Sequence, residues 1–376
     1  MAEKIFITGN EAVGLGAINA GCEAFFGYPI TPQNEIIAWF AREMPKRGKV
    51  FVQTHAETGS INMLAGGAIA GARVITSTSS VGWDLMQEGM SNMVWAEAPG
   101  VILLVQRGGP GEGHPRHSQQ DYTSATRGAS GGYKVIVLAP GSVQEQHDLV
   151  QLAFYLADKY LTPVIVLTEA VLGQMAEPIE AKTLDFGPLP EKEWAVKGKG
   201  SRRKGYDKWA MKAPGGVKKG ANYVKKDTMR AMYYVNEWVP TVLTLEKKYQ
   251  EIKRNEVRYE TYMADDAELL LVAFGYMARV CREVVDMARA KGLKVGLFRP
   301  ITVWPFPEEQ IREKATQGVK FLVAEDNMGQ MLDDVKMAVE GKSPIYFAGL
   351  DLRHLPSGMG LIFPERIFEE VKKYCA

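Results

Sequence analysis

The chain predicts an α/β fold laid down as two successive units, and three observations carry that expectation. Short unbroken apolar runs alternate with segments of helical period up to about Pro178, the pattern of strands buried on both faces of a mostly parallel sheet with helices on either side. The alternation stops after Pro178 and resumes near Glu268, which sets off a second unit. With 46% hydrophobic residues and 38 glycines, the composition suits many tight strand–helix turns.

The elements follow in order. Residues 13–22, rich in Ala and Gly, predict a helix, and Phe25-Phe26 a short strand. The run Val50-Phe51-Val52 leads into a small-residue helix over 61–72. Arg73-Val74-Ile75-Thr76-Ser77 is a β-branched strand and 85–97 a helix. Val101-Ile102-Leu103-Leu104-Val105 is a buried strand. A strand over 135–138, a helix over 143–159 and a strand over 164–167 complete the first unit. In the second, a strand over 269–275 precedes a helix over 278–291 and a strand over 295–298. Residues 299–307, with three prolines, read as a stiff turn, followed by a strand over 321–325 and a helix over 331–339.

Between the units, residues 179–262 read as an irregular basic arm. Lysines and arginines crowd 197–226, with Asp207 the only acid among them, and Trp194, Tyr206, Trp209 and Tyr223 are scattered among the charges. So long a stretch seldom lies free in a compact domain. One reading is a solvated excursion over the surface. The other is an arm on a partner subunit or near an anionic ligand such as coenzyme A, favoured by the interleaved aromatics.

The 376 residues suffice for two domains with real cores. Forty-five basic against 44 acidic residues leave a net charge of +1, so no bulk attraction to nucleic acid or membrane is expected. No apolar run approaches a membrane span. Cys22, Cys281 and Cys375 form no C-x-x-C pair, so neither an iron–sulfur cluster nor a structural zinc site is expected from this chain alone. Few cysteines and a start without a signal-peptide core imply a cytoplasmic protein.

Chemistry concentrates in a bend and a carboxylate. Tyr28-Pro29-Ile30-Thr31-Pro32 is stiffened by two prolines, which hold Tyr28 and Thr31 extended and fix the Thr31 hydroxyl at the mouth of a turn. Glu57 follows a strand and opens a helix, where open α/β sheets bind ligands. Position alone leaves two readings of Glu57, a cofactor-site acid or a helix-start acid favoured by the macrodipole. Thr31 is likewise a substrate ligand or a helix N-cap, and Arg107, opening a glycine-rich loop, a carboxylate clamp or a structural ion pair. The dinucleotide fingerprint, the Walker A loop, H-e-x-x-H and G-x-S-x-G are all missing. His114 and His117, close together in a Gly/Pro loop, read as loop residues rather than metal ligands.

At these residues the chain resembles the α subunits of 2-oxoacid:ferredoxin oxidoreductases, the thiamine diphosphate family that includes pyruvate:ferredoxin oxidoreductase. The likeness spans nearly the whole chain. Gly9-Asn10-Glu11-Ala12, the 28–32 bend, Glu57, Arg107-Gly108-Gly109-Pro110-Gly111, Asp121-Tyr122, the 299–305 segment and Asn327-Met328-Gly329-Gln330 fall in the family's order. The Arg-Gly-Gly-Pro-Gly spelling is most similar to the branched-chain, 2-oxoisovalerate type.

The resemblance implies a pyrimidine-binding domain over 1–178, the linking arm over 179–262 and a transketolase C-terminal-like domain over 263–376. It implies oxidative decarboxylation of a 2-oxoacid with coenzyme A to acyl-CoA, CO2 and reduced ferredoxin, in an anaerobic metabolism. Glu57 matches the carboxylate that bonds the aminopyrimidine ring and favours the tautomer able to take a proton from the thiazolium. Tyr28, Pro29 and Ile30 would line the cofactor, while Thr31 and Arg107 would hold the substrate carboxylate. No Gly-Asp-Gly occurs, so a β subunit should carry the diphosphate and Mg2+. The [4Fe-4S] clusters should sit on partner chains, with a γ subunit and a ferredoxin-like δ subunit or ferredoxin completing a dimer of heteromers. Two rivals remain: the β subunit of a thiamine-dependent 2-oxoacid dehydrogenase, which lacks the proline bend, and a non-catalytic α/β scaffold, which Glu57, Thr31 and Arg107 speak against.

Overall fold

The computed structural model describes residues 4–189, 192, 235–350 and 361–375. The chain opens with strand β1 (Lys4–Thr8) and helix α1 (Gly9–Asn19). Then come β2 (Ala24–Gly27), α2 (Asn34–Lys46), β3 (Val50–Gln53), α3 (Glu57–Ile69), β4 (Val74–Thr78), α4 (Ser80–Trp95) and β5 (Gly100–Gly108). They are followed by β6 (His114–His117), α5 (Tyr122–Arg127), β7 (Ile136–Leu138), α6 (Val143–Tyr160), β8 (Pro163–Glu169), α7 (Ala170–Gln174) and β9 (Ala176–Glu180). Beyond residue 234 lie α8 (Val235–Asn255), β10 (Tyr259–Tyr262), β11 (Leu269–Val272), α9 (Gly275–Arg289), β12 (Val295–Pro300) and β13 (Thr302–Trp304). The last elements are α10 (Glu308–Thr316), β14 (Lys320–Ala324), α11 (Met331–Val339), β15 (Ile345–Ala348) and α12 (Pro364–Tyr374).

Two main sheets result. The first runs β13-β7-β8-β5-β4-β2-β3, with β6 hydrogen-bonded to β5, and is parallel except for β13 and β6. The second runs β10-β12-β11-β14-β15, with only β10 antiparallel. β1 and β9 form a small antiparallel ribbon. The unbroken apolar runs explain the parallel strands: from Val101 to Val105 β5 is fully buried, so both its faces are covered by helices. Local chemistry fixes the helix starts. Thr8 and Glu11 make a capping box at α1, and Ser142 Oγ accepts the Glu145 N–H at α6.

Three sequence expectations need correction. The arm over 179–262 is not irregular throughout, because β9 includes its first residues and α8 and β10 fill its last part. α8 folds because Leu245, Tyr249 and Ile252, spaced at i, i+4 and i+7, pack on the main core. The basic stretch of 197–226 lies outside the described residues. Second, 299–307 is more than a turn: β12 continues to Pro300, and β13 crosses to pair with Val137 and Leu138 of the first sheet. Third, the second sheet takes in β10, ahead of the expected start at 263.

The largest apolar cluster spans both units, beside a second one that includes Leu269, Val295 and Val371. The largest contains Phe25, Trp83 and Leu103 from the first sheet's layers and Phe298, Trp304 and Phe321 from the later elements. The Trp304 ring stands edge-on to Tyr249 of α8, with centroids 6.1 Å apart. Each fully buried side chain of Val, Leu or Phe size contributes about 1.5–3 kcal/mol.

Strand order reverses between β2 and β4: from β2 the chain steps outward to β3, then returns across to β4 and β5. Loops leaving the C-terminal ends of β2 and β4 therefore diverge and open a crevice, the place where such sheets bind ligands.

Candidate active site

The proline bend leaves β2 at this crevice. Gln33, fully buried just after it, ties the bend to the sheet. Its Nε2 donates to the Tyr28 carbonyl at 3.0 Å, and its Oε1 accepts from Ser77 Oγ of β4 at 2.5 Å. Its backbone N–H donates to the Ile30 carbonyl at 3.0 Å. Tyr28 and Ile30 are half-buried, and Pro29 and Thr31 are exposed. Thr31 does not cap α2, whose N-cap is Gln33 without a side-chain bond; instead Thr31 Oγ1 accepts from Asn34 Nδ2 at 3.4 Å.

Glu57 is the first residue of α3, after Ala56 in extended geometry. Its side chain is buried and turned against the first turn of α4, at Gly82. A Cβ at residue 82 would stand 2.5 Å from Glu57 Oε1 and overlap Thr78 Oγ1. Only glycine leaves this space open. Burial raises the Glu57 pKa; its own backbone N–H opposes this, Glu112 adds to the rise, and Arg107 opposes it. The hydroxyls of Thr76, Thr78 and Ser79 nearby in sequence are buried without partners. Ser80, opening α4, has a left-handed φ of 28°, a strained turn at the strand end.

Arg107 lies within β5 rather than at its end, because the strand runs on to Gly108 and pairs with β6. Its guanidinium is buried. Nη1 donates to the Thr31 carbonyl at 2.9 Å, and Nη2 reaches the Glu112 carbonyl at 3.1 Å and carboxylate at 3.3 Å. Nε is buried without a partner. Thr31 and Arg107 are thus in direct contact, while Glu57 is linked to Arg107 through its field.

Sequence reasoning missed several members of this group. Asp121 accepts from Ser80 Oγ at 2.6 Å and from the Arg107 N–H at 3.4 Å, and burial pushes its pKa up to about 6. The Asp121-Tyr122 motif signalled the position but not this role. Gln33, Gly82 and Glu112 carried no recognisable signal. His114 and His117 form β6, and His117 faces Tyr276 edge-on at 5.8 Å rather than the crevice residues.

The arrangement offers a buried carboxyl able to share a proton with a basic nitrogen. Glu57 supplies a carboxyl with raised basicity, the missing Cβ of Gly82 leaves room for that carboxyl, and unpartnered hydroxyls lie at the strand end. Arg107, buried, and Thr31, exposed, are joined beside it through the Thr31 carbonyl.

Residues 15–251 match the family described as "Pyruvate flavodoxin/ferredoxin oxidoreductase, thiamine diP-bdg", and residues 267–353 match "Pyruvate:ferredoxin oxidoreductase core domain II". The chain is 45% identical to a ketoisovalerate oxidoreductase subunit VorB of Methanothermobacter marburgensis, over 88% of this chain and 89% of that one. It is 34% identical to a 2-oxoglutarate synthase subunit KorA of the same organism, over 92% and 94%. The structure of a 2-oxoglutarate:ferredoxin oxidoreductase from Magnetococcus marinus, solved with 2-oxoglutarate, coenzyme A and succinyl-CoA, superposes with a TM-score of 0.82 at 28% identity, covering 100% of this chain and 66% of that one. A split-gene transketolase shares the fold alone, with a TM-score of 0.55 at 14% identity over 97% and 95%.

Proposed function

The chain belongs to the pyruvate flavodoxin/ferredoxin oxidoreductase family, and from that premise we propose that it supplies the pyrimidine half of a thiamine diphosphate site in a heteromeric 2-oxoacid:ferredoxin oxidoreductase. The complex turns a 2-oxoacid, coenzyme A and oxidised ferredoxin into acyl-CoA, CO2, a proton and reduced ferredoxin, with two electrons leaving. The single observation that carries the reading is the buried Glu57 carboxyl facing Gly82 at the switch-point crevice. The 45% identical ketoisovalerate relative supports a branched-chain 2-oxoacid as substrate.

Thiamine diphosphate, when bound, supplies the carbanion that attacks the 2-oxo carbon and stores the electrons released on decarboxylation. This chain's residues prepare that chemistry. Glu57 would share a proton with the ring nitrogen, and its raised pKa suits it to a weakly basic ring. Tyr28, Pro29 and Ile30 form the wall of the bend. Thr31 and Arg107 hold the substrate carboxylate, the unpartnered Arg107 Nε and the displaceable Glu112 contact leaving donors for it. We assign the diphosphate and Mg2+ site and the iron–sulfur clusters to partner chains. We assign residues 1–178 to a pyrimidine-binding domain, followed by a linking arm and a transketolase C-terminal-like domain that begins with β10 and continues over 263–376. Among the described residues no helix is long and apolar enough to cross a membrane, and a cytoplasmic location is part of this proposal.

The test is the complex purified with its partner chains. Glu57→Ala is expected to lower acyl-CoA formation at least about a hundredfold while subunit assembly persists. Unchanged turnover would leave this chain a scaffold role only.

A further inference from the structure

The glycine-rich loop after β5 folds back on Arg107. Glu112 in that loop places its carbonyl 3.1 Å and its carboxylate 3.3 Å from Arg107 Nη2, while Nη1 is taken by the Thr31 carbonyl. The partners are unequal: the Arg107 side chain is 6% exposed and that of Glu112 91%. An ion pair with so exposed a carboxylate is weak, because water screens it and competes for both ends. The backbone bond is a separate anchor and keeps residue 112 beside the guanidinium after its carboxylate lets go.

We propose that Glu112 is a specificity-determining residue: its carboxylate occupies Arg107 until a 2-oxoacid carboxylate displaces it, and then stands at the rim as a fixed negative charge that disfavours 2-oxoacids with a second carboxylate. The inference rests on Arg107 holding the substrate carboxylate, as proposed above. Two features support it. The carboxylate bonds Nη2, a guanidinium nitrogen that the proline bend does not use. Its charge is also near enough to Glu57 to help raise that carboxyl's pKa. A branched-chain 2-oxoacid offers only its single carboxylate and meets no repulsion. A dicarboxylic one brings a like charge close to Glu112, an arrangement that selects against a substrate without any contact dedicated to the preferred one.

The experiment uses the complex of the full chain with its partner subunits, with 2-oxoisovalerate and 2-oxoglutarate as probes. Glu112→Gln is expected to lower KM for 2-oxoisovalerate about threefold with kcat unchanged, because internal competition for Arg107 is removed. It should raise kcat/KM for 2-oxoglutarate relative to 2-oxoisovalerate about tenfold. Glu112→Asp, which keeps the charge, should retain the wild-type preference. A KM and a substrate ratio that both stay within about twofold of wild type in Glu112→Gln would overturn the inference. A wild-type complex that turns over neither acid would instead bring down the functional reading, and this inference with it.

Discussion

A carboxyl at the start of a helix normally ionises more readily, since the free N–H groups favour negative charge. Glu57 goes the other way, because burial against α4 outweighs its own N–H and the nearby Arg107, and Glu112 adds to the rise. Its position depends on a missing atom, the Cβ of residue 82. Gly82→Ala puts a methyl group 2.5 Å from Glu57 Oε1, and is expected to cut acyl-CoA formation about ten- to a hundredfold through displacement of that carboxyl. Steady-state kinetics of the complex beside its melting curve would check this; full activity would mean that the Glu57 position is not critical. Thr31, Glu57 and Arg107 were legible because their settings are local: flanking prolines, a strand end, a glycine-rich loop. Gln33 and Gly82 were not. Gln33 reaches Ser77, 44 residues away, and Gly82 matters only because α3 and α4 converge, which no single stretch of sequence reveals.

At the level of elements, the parallel strands were legible because apolar runs buried on both faces leave little choice of structure. Helix α8 was not. Its sequence has Pro240 early on and charged residues through the rest, so its stripe of Leu245, Tyr249 and Ile252 is sparse. That stripe still fixes its place on the core. The end of α8 is held by the buried Glu256, which accepts from Lys159 Nζ at 2.7 Å and Tyr160 Oη at 2.6 Å. Ile252→Ala is expected to destabilise the chain by about 2–4 kcal/mol, read from denaturant midpoints. A loss under about 0.5 kcal/mol would show α8 to be an appendage rather than part of the core. β13 escaped notice for a related reason: three residues between prolines read as a turn, and only the neighbouring sheet makes them a strand.

Over the whole molecule, the later unit is joined to the first by a polar seam. Gln119 Nε2 donates to Glu169 Oε1 at 2.8 Å and to the Phe274 carbonyl at 3.0 Å, and Asn327 and Gln330 donate to the Gln119 and Gln120 carbonyls, each at 2.7 Å. Gly275, at φ 56°, admits this approach, since a Cβ there would overlap Glu169 Oε1. Burial pushes Glu169 up to about 8, despite bonds from Gln119 and the Tyr276 N–H, and pushes Glu325 to about 7 and Asp326 to about 6. The unfolded Glu169 ionises near 4.5, so between 4.5 and about 8 the folded state holds the extra proton. Its contribution to stability therefore falls as pH rises through that window and levels off above it. Glu169→Gln, neutral throughout, should gain on wild type steadily from pH 5 to 8, by a few degrees in Tm on the order of 1–3 kcal/mol. Melting curves that differ by a constant amount at every pH would refute the assignment. The strand that crosses between the sheets has a further consequence for how such a gene can be rearranged. A cut between the two halves would strip Leu138 and Val137 of their partner and leave a bare rim that recruits any free strand it meets. Fission or recombination must then carry both halves along, or furnish a substitute edge.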